Sequence, residues 1–554
     1  MSKKLEELRI IPLGGVGEIG KNMTIVEYGD DMIMIDCGLI FPRDDMLGVD
    51  YVLPDISYVE KNADKLKGII LTHGHEDHIG SLPYFIEKLN VPIYGTRFAN
   101  ALIRTKFEEH GIKKNDLYDI KALDKIELGI FKITPIKVSH SIDDAVGYAI
   151  ETPQGIIVHT GDFKIDFTPI DGKVIDLAKF AELGQKGVLV LMADSTNAQT
   201  PGYTMSESIV GETFESYFKK ATGRIIVATF ASNIHRLQQV ADAAKRFNRK
   251  LCFTGRSMLR IAGVAKELGL LSIDEKMVVD IDQLDRLPDK KVALITTGSQ
   301  GETMAGLTRM ASGDHMKIKI KDGDTVIISA TPIPGNERGV ADVINMLHHR
   351  GALVINEGNA DVHVSGHACQ EELKIIHTLV KPKYFIPVHG EYKHLYKHAE
   401  LAEDLGIKRK NIFIPEIGVP VEINKNKAQL GKKVPSGKIL IDGLGIGDVG
   451  NVVLKDRRLL SQDGLFVAIV TLDKQTGTLI SGPEIISRGF VYVKESEGLM
   501  DGAKRVVVEV VNDCERLKVS EWTVIKPKIK KALRNYLYNQ TQRSPMILPV
   551  IIEV

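Results

Sequence analysis

Residues 71–80 read LTHGHEDHIG, and the stretch from His73 to His78 holds three histidines and two carboxylates. A single histidine is usually a core or surface residue. Four metal-capable side chains, His73, His75, Asp77 and His78, placed just past an apolar strand point to metal binding instead. His73 and His75 can reach one ion, while Asp77 and His78 turn towards a second. One loop cannot close two sites, so partners must arrive from other strand ends. His140 follows FKITPIKVS, Asp162 ends IIVHTGD and His389 ends KYFIPVHG. Each is polar and lies just past an apolar strand, where α/β layers place their sites. The expected arrangement is one ion on His73, His75 and His140 and another on Asp77, His78 and His389, with Asp162 bridging them. Nitrogen and carboxylate donors without thiolates suit zinc, with manganese as the alternative. A carboxylate shared by two ions about 3.5–4 Å apart makes a two-metal clamp that activates water. His159, near Asp162 in sequence, reads as an ordinary strand histidine.

The stretch GGVGEIG imitates a different chemistry. Gly15, Gly17 and Gly20 match a dinucleotide fingerprint, and Asp36 ends a strand further on. That fingerprint needs a helix to start at the glycines and hold the pyrophosphate on its N-terminus. Here KNMTIVEYGDDMIMID follows, an alternating hairpin pattern, so the glycines are expected to make tight turns near the active site.

Elements that alternate strand and helix must position these groups. RIIPLG, MTIVEY, MIMIDCG and KGIILTH read as strands, GSLPYFIEKL as a helix, and FKITPIKVSH, VGYAIETP, GIIVHTGD and VLVLMADST again as strands. Strands outnumber helices here, as in stacked sheets covered by helices. From about Met205 to His363 the rhythm changes. Helical NIHRLQQVADAAKRF and SMLRIAGVAKEL alternate with buried GRIIVATF, VALITTG and DTVIISATP, the pattern of a parallel α/β sheet. The earlier character returns at KYFIPVHGEY, so the α/β module reads as an insertion. The expected boundaries are core 1–204, insert 205–365, core again 366–435, a Gly-rich linker 436–463, and a C-terminal α+β domain 464–554 with one long helical pattern.

Composition bounds the function. The chain has 554 residues, 44% hydrophobic and 26% charged, too many for one core. Lys plus Arg equals Asp plus Glu at 72 each, so any polyanion would be drawn by a local patch rather than the whole field. Cys37, Cys252, Cys369 and Cys514 form no CxxC pair, which fits a reducing cytoplasm and excludes a cysteine-based zinc finger. No apolar leader and no membrane-length apolar run is present, so a cytoplasmic protein is expected.

HGHEDH with His140, Asp162 and His389 resembles the metallo-β-lactamase superfamily, which implies an αββα sandwich and two metals but no particular substrate. Three further stretches narrow it: ADSTN with Asp194, VSGHA with His367, and PVHGEY with His389. Together with the insert they resemble the β-CASP nucleases. GGVGEIGKN, GDFKIDFTP, TFASNIHRLQQV, TTGSQGE, PIPGN, DGLGIGD, SRGFVY and PMILPVI are similar to bacterial ribonuclease J over essentially the whole chain. The resemblance implies a two-metal ribonuclease acting in rRNA processing and mRNA turnover. It implies 5′-to-3′ exonuclease cleavage of 5′-monophosphorylated RNA together with endonuclease cleavage.

His367, Asp194 and Asp77 would then be catalytic. His367 would stand near the leaving 3′ oxygen as general acid or charge stabiliser, and Asp194 would orient a histidine. A 5′-phosphate pocket is expected on Ser232, Asn233, Ser299, Gly301, His363, Val364, Ser365, Gly366 and His367, because small-residue turns can aim backbone N–H groups at a phosphate. Single-stranded RNA would thread between core and insert, with Arg236 and Arg256 as cations of the insert. The basic run Lys526, Lys528, Lys530, Lys531 and Arg534 reads first as a solvated helix face and second as an RNA contact. The resemblance also implies a homodimer or homotetramer through the C-terminal domain, with a paralogous subunit or other RNA-decay proteins as further partners. Some members hold a structural cation, calcium being the ion considered, for which Asp50 and Asp442 are the candidates. Two alternatives accompany this reading. A thioesterase-like hydrolase would have no use for the insert or for VSGH. A mainly structural subunit of an RNA-degrading assembly, weakly active, would not need every ligand intact.

Overall fold

The structure, a computed structural model, describes residues 7–43, 45–113, 116–298, 306–332, 336–425, 427–491, 496–517, 519 and 521–554. The chain divides into two compact units, Met1–Phe41 with Val52–Ile439, and Pro42–Tyr51 with Leu440–Val554.

The first unit is built on two facing sheets. One has eight strands in the order Ala428–Leu430, Val421–Ile423, Leu8–Gly14, Met23–Tyr28, Asp31–Ile35, Leu66–Ile70, Ile93–Thr96 and Leu117–Ile120. The other has six, in the order Tyr384–Val388, Val188–Asp194, Gly155–His159, Val146–Thr152, Phe131–Lys137 and Ile126–Leu128. Their inner faces meet in one core, where Ile10, Val26, Ile33 and Ile70 of the first sheet pack with Ile133, Tyr148, Ile157 and Ile386 of the second. Burial of this apolar area, at roughly 25 cal/mol per Å², holds the two sheets together. The outer face of the six-stranded sheet is covered by the helices Leu177–Lys186, Gln370–Val380 and Tyr392–Asp404, which bury Phe180, Leu373, Ile376 and Ala399. Helix Arg97–Glu109 packs against the far strands of the other sheet and buries Phe98, Leu102, Ile103 and Phe107. The layers are therefore αββα. Strand Tyr384–Val388 pairs in parallel with Val188–Asp194 although an entire insert separates them in sequence.

The insert contains a five-stranded parallel sheet, in the order Lys250–Phe253, Val292–Thr296, Ile225–Ala228, Thr325–Ile328 and Leu353–Ile355, flanked by helices such as Ser208–Lys220 and Ile234–Arg246. Continuous apolar strands such as VALIT are what a parallel sheet buried on both faces demands. Arg236 ties the insert at both ends. The sequence reads it as a surface cation or an RNA contact, but it is fully buried. Its Nε donates to Glu207 Oε1 at 2.8 Å, beside the entry, and its Nη1 donates to the carbonyl of Val362 at 3.0 Å, beside the exit. A buried guanidinium needs such partners. Arg256, by contrast, is exposed at the start of helix Arg256–Glu267.

In the second unit the strands Leu465–Leu472, Leu479–Arg488 and Met546–Glu553 form one sheet. LFVAIVTL alternates between half-buried and buried positions, the period-2 pattern of a one-sided sheet. One long helical pattern is expected in residues 464–554, whereas the described residues there form two helices, Glu497–Arg516 and Trp522–Thr541. The second buries Ile525, Ile529, Leu533 and Leu537 on one stripe, leaving Lys528, Lys530, Lys531 and Arg534 exposed and Lys526 half-buried. Residues 436–463, expected to be a linker, instead carry strand Lys438–Asp442 and helix Asn451–Asp463. The glycines of DGLGIGDVG mask the helix-forming run that follows them. Asp50 accepts the N–H of Gly443 at 2.8 Å, and Asp442 is ion-paired with Arg457. Among the described residues the two carboxylates do not gather a third ligand around them. All four cysteines are free and buried, and no described helix is long and apolar enough to cross a membrane.

Candidate metal centre

Strand Leu66–Ile70 delivers LTHGHEDHIG to one end of the paired sheets, and the short helix Glu76–Ile79 begins inside the loop. His73 and His78 are buried. His73 Nε2 lies 3.0 Å from His75 Nδ1, which in turn lies 3.2 Å from His140 Nε2. Partners behind the rings assign the tautomers. His140 Nδ1–H donates to the carbonyl of Gly366 at 2.8 Å, leaving Nε2 with its lone pair inward. His73 Nδ1–H donates to Thr72 Oγ1 at 3.0 Å, again leaving Nε2 inward. Inward lone pairs this close repel unless a cation lies among them. Burial, reinforced by neighbouring histidines, pushes the rings of His75 and His140 down to about 4 and about 3, and drives His73 well below its ordinary value. All three rings are therefore neutral at physiological pH, the state a metal ligand requires.

The second cluster joins Asp77, His78, Asp162 and His389. Asp162 Oδ2 is 3.1 Å from His78 Nε2, 3.8 Å from His73 Nε2 and 3.9 Å from His140 Nε2, so a single carboxylate oxygen faces both clusters. Asp77 Oδ2 is 3.1 Å from His389 Nε2 and 3.6 Å from His78 Nε2. His78 Nδ1–H donates to Asp36 Oδ2 at 2.8 Å, and His389 Nδ1–H to Thr196 Oγ1 at 2.8 Å. Burial works against protonation of His78 and His389, but Asp162 and the other carboxylates outweigh it. His389 is raised to about 10 and His78 lies well above its usual value. The same cations hold Asp77 and Asp162 below the carboxylate range despite burial. The carboxylates of the second cluster thus draw positive charge that a divalent ion would supply in place of the two histidine protons. Seven side chains from four chain segments form two adjoining clusters, His73, His75 and His140 in one and Asp77, His78 and His389 in the other, with Asp162 facing both.

Several supporting residues are not evident in the motif. Asp36, noticed in sequence only as a mimic of a ribose-binding acid, instead stands behind His78, and its Oδ1 also accepts the N–H of Thr72 at 2.8 Å. It adopts φ 60°, the left-handed region that Asp and Asn tolerate better than most residues. Asn22 Nδ2 donates to the Asp77 carbonyl at 3.2 Å. Gly15, Gly17 and Gly20 all have positive φ, and the carbonyl of Gly15 accepts the N–H of His389 at 2.7 Å. No helix starts at these glycines, so they turn against the metal centre. His159 keeps to its strand, its Nδ1 accepting the N–H of Gly161 at 3.0 Å.

At the edge of the centre, His367 Nδ1 lies 2.7 Å from Asp194 Oδ2. Its ring centroid is 5.0 Å from that of His140 and 5.4 Å from that of His389. Burial lowers the affinity of His367 for its proton, but Asp194 more than compensates and raises it above the ordinary histidine value. A protonated, carboxylate-oriented imidazole beside a metal centre can donate a proton or stabilise developing charge.

Four families match along the chain. They are the metallo-beta-lactamase superfamily over residues 16–182, the ribonuclease J beta-CASP domain over 222–347, the Zn-dependent metallo-hydrolase RNA specificity domain over 353–415, and the ribonuclease J C-terminal domain over 452–554. Ribonuclease J2 of Bacillus subtilis is 46% identical over 553 residues, covering 100% of both chains. The chain belongs to the ribonuclease J family. Ribonuclease J 1 of Streptococcus pyogenes is 43% identical, covering 100% of this chain and 99% of its own, and ribonuclease J 2 of Staphylococcus aureus is 44% identical with both chains covered fully. A crystal structure of a protein of unknown function from Enterococcus faecalis shares the fold, with TM-score 0.54 and 17% identity over 75% of this chain and 100% of that one.

Of the expected 5′-phosphate pocket of this ribonuclease J, Ser299 and Gly301 lie outside the described residues. Asn233 uses its side chain to cap helix Ile234–Arg246, accepting the N–H of Arg236 at 3.0 Å, and Ser232 precedes it half-buried. Val364 is buried. Ser365 Oγ accepts from Asn197 Nδ2 at 2.9 Å and from the N–H of His367 at 3.2 Å. Gly366 is required by space, because a Cβ there would sit 2.6 Å from the His140 ring. His363 Nδ1 is buried without a hydrogen-bond partner among the described residues, and burial with the nearby Arg236 and Lys164 pushes its ring down to about 3.

Proposed function

We propose that this ribonuclease J hydrolyses single-stranded RNA at the shared-carboxylate centre, proceeding 5′ to 3′ from 5′-monophosphorylated ends and also cutting internally. The observation that carries the reading is the position of His367, its Nδ1 2.7 Å from Asp194 Oδ2 beside two clusters that share Asp162. Two divalent ions, when bound, supply charge neutralisation at the phosphodiester and activation of the attacking water. Zinc suits the nitrogen-rich set, with manganese as the alternative.

The chain's own residues do the rest. Asp36, Thr196 and the Gly366 carbonyl fix the imidazoles through their outward nitrogens, so no ring must reorient when RNA arrives. His367 carries the proton that the leaving 3′ oxygen takes up, and Asp194 orients it and stabilises its charge. The segment His363–His367 and the first turn of helix Ile234–Arg246 form the 5′-end pocket, into which the neutral His363 contributes a hydrogen-bonding nitrogen. Exonuclease action follows from a pocket one nucleotide from the centre, and internal cutting from RNA that passes it by. Maturation and turnover of RNA in the cytoplasm are the corresponding roles. In the second unit, Ile480, Ile486, Leu548 and Ile552 are exposed large apolar side chains on the three-stranded sheet. This supports a homodimer or homotetramer, or pairing with a paralogous subunit, through that unit.

The test uses one single-stranded RNA carrying either a 5′-monophosphate or a 5′-triphosphate, incubated with purified protein with and without chelator, beside His75→Ala. Mononucleotides released from the monophosphate RNA alone, sensitive to chelator and lost in His75→Ala, are expected. Internal cuts only would remove the 5′ pocket from the proposal. No cleavage with zinc or manganese restored would leave the protein a structural subunit.

A further inference from the structure

Outside the catalytic centre, one other cluster places three metal-capable side chains within 4.8 Å of one another among the described residues: Asp143, Asp171 and His235. They come from three segments. Asp143 lies in the loop after His140, Asp171 in the loop after the strand-end Asp162, and His235 in the first turn of the insert helix Ile234–Arg246. Asp143 is 92% buried, its relative exposure being 8%, yet its Oδ2 has no hydrogen-bond partner among the described residues. His235 Nε2 is buried and lies 3.3 Å from Asp143 Oδ1, an ion-pair distance, but makes no aligned hydrogen bond among the described residues. An orphaned carboxylate oxygen at such depth costs about 1–3 kcal/mol, more when charged, and native structures leave few such atoms without an ion or water.

The charge around the cluster is negative. Asp144 adjoins it, and Asp143, Asp171 and Glu207 act on His235, Glu207 being paired in turn with Arg236. The nearby cations are Lys137, which acts on Asp144, and Lys173, whose Nζ is 3.9 Å from Asp171 Oδ2. The N–H of Lys173 donates to Asp171 Oδ1 at 3.0 Å. One imidazole nitrogen and two carboxylates suit a borderline divalent ion such as manganese or zinc. The geometry points to a third cation site at Asp143, Asp171 and His235, which staples the insert to two loops of the core. Asp171 is exposed, so water fills the remaining coordination positions and the ion exchanges more readily than the buried pair. Because Asn233 caps the same helix turn that carries His235, occupancy of the staple also fixes the wall on which the insert meets the core.

The experiment starts from full-length protein dialysed to two zinc ions per chain, titrated with Mn²⁺. Free Mn²⁺ is followed by electron paramagnetic resonance, and total metal by mass spectrometry after gel filtration. Wild type is expected to take up one further Mn²⁺ per chain with its zinc content unchanged. Asp143→Asn, His235→Gln and the exposed Asp171→Asn should each weaken that uptake by about tenfold or more while keeping both zinc ions, which also reports that the variants fold. No third ion in wild type, or uptake unchanged in the folded variants, would overturn the proposal.

Discussion

Asp36→Asn isolates the contribution of a residue that touches neither ion nor RNA. Asp36 Oδ2 accepts from His78 Nδ1–H at 2.8 Å, and Oδ1 accepts from the N–H of Thr72 at 2.8 Å. Asparagine tolerates the same φ of 60°, so the backbone should stay in place. Its single carbonyl would keep the Thr72 N–H, turning the amide NH2 towards His78. In the neutral ring that a bound ion requires, that donor forces His78 Nδ1 to accept and moves the proton to Nε2, the atom facing Asp162 and Asp77. Loss of such a supporting partner typically costs 10–100-fold in metal affinity, or about 1.4–2.7 kcal/mol. Competition with a zinc-binding dye should show the site of Asp77, His78 and His389 weakened by that factor. The site of His73, His75 and His140 should change little, and RNA cleavage should fall in parallel with the weaker site. Equal affinity at both sites with unchanged cleavage would refute the tautomer argument.

Other expectations follow from the same geometry. His367→Ala should lower cleavage by about 10²–10⁴ without loss of metal, and Asp194→Asn/His367→Ala should be no worse than His367→Ala alone, as a kinetic double-mutant cycle would show. Gly366→Ala places a Cβ 2.6 Å from the His140 ring, so metal content should fall towards one ion per chain when measured by mass spectrometry. Glu27 is buried and accepts from Lys65, Tyr58 and Arg9 at 2.6–2.8 Å. Glu27→Gln should therefore cost about 2–3 kcal/mol of stability at pH 7. Burial opposes ionisation of Glu27, but Lys65, Tyr58 and Arg9 depress its titration below the usual 4.5. Its contribution is thus present above pH 4.5 and lost on further acidification, and the difference between variant and wild type in thermal unfolding should shrink there.

Much of the site could be read in the sequence because its ligands are polar residues standing directly after apolar strands, where periodicity is clearest. His140, Asp162 and His389 are of this kind. Asp36 was visible as a strand-end acid, but its partner His78 is 42 residues away, and spacing alone cannot show which histidine it faces. Thr196 was not read at all, since a threonine after ADS carries no distinguishing signal. Arg236 looked like a surface cation because its helix is amphipathic; the sequence does not tell which face turns back to the junctions at Glu207 and Val362. Residues 42–51 belong with the C-terminal unit, a pairing that no local pattern announces.

The contact between Asp77 and His389 spans 312 residues of chain. On the ribosome the loop LTHGHEDHIG emerges long before the strand that brings His389, and the whole insert must be translated between them. His367 also comes late, and with it the Gly366 carbonyl that orients His140 across 226 residues. A nascent chain therefore carries an incomplete centre while it remains tethered to its own message. With the proposed centre, the capacity to cut RNA would arise only when strand Tyr384–Val388 has paired with Val188–Asp194, so the order of synthesis itself would delay the hazard until most of the enzyme has been made.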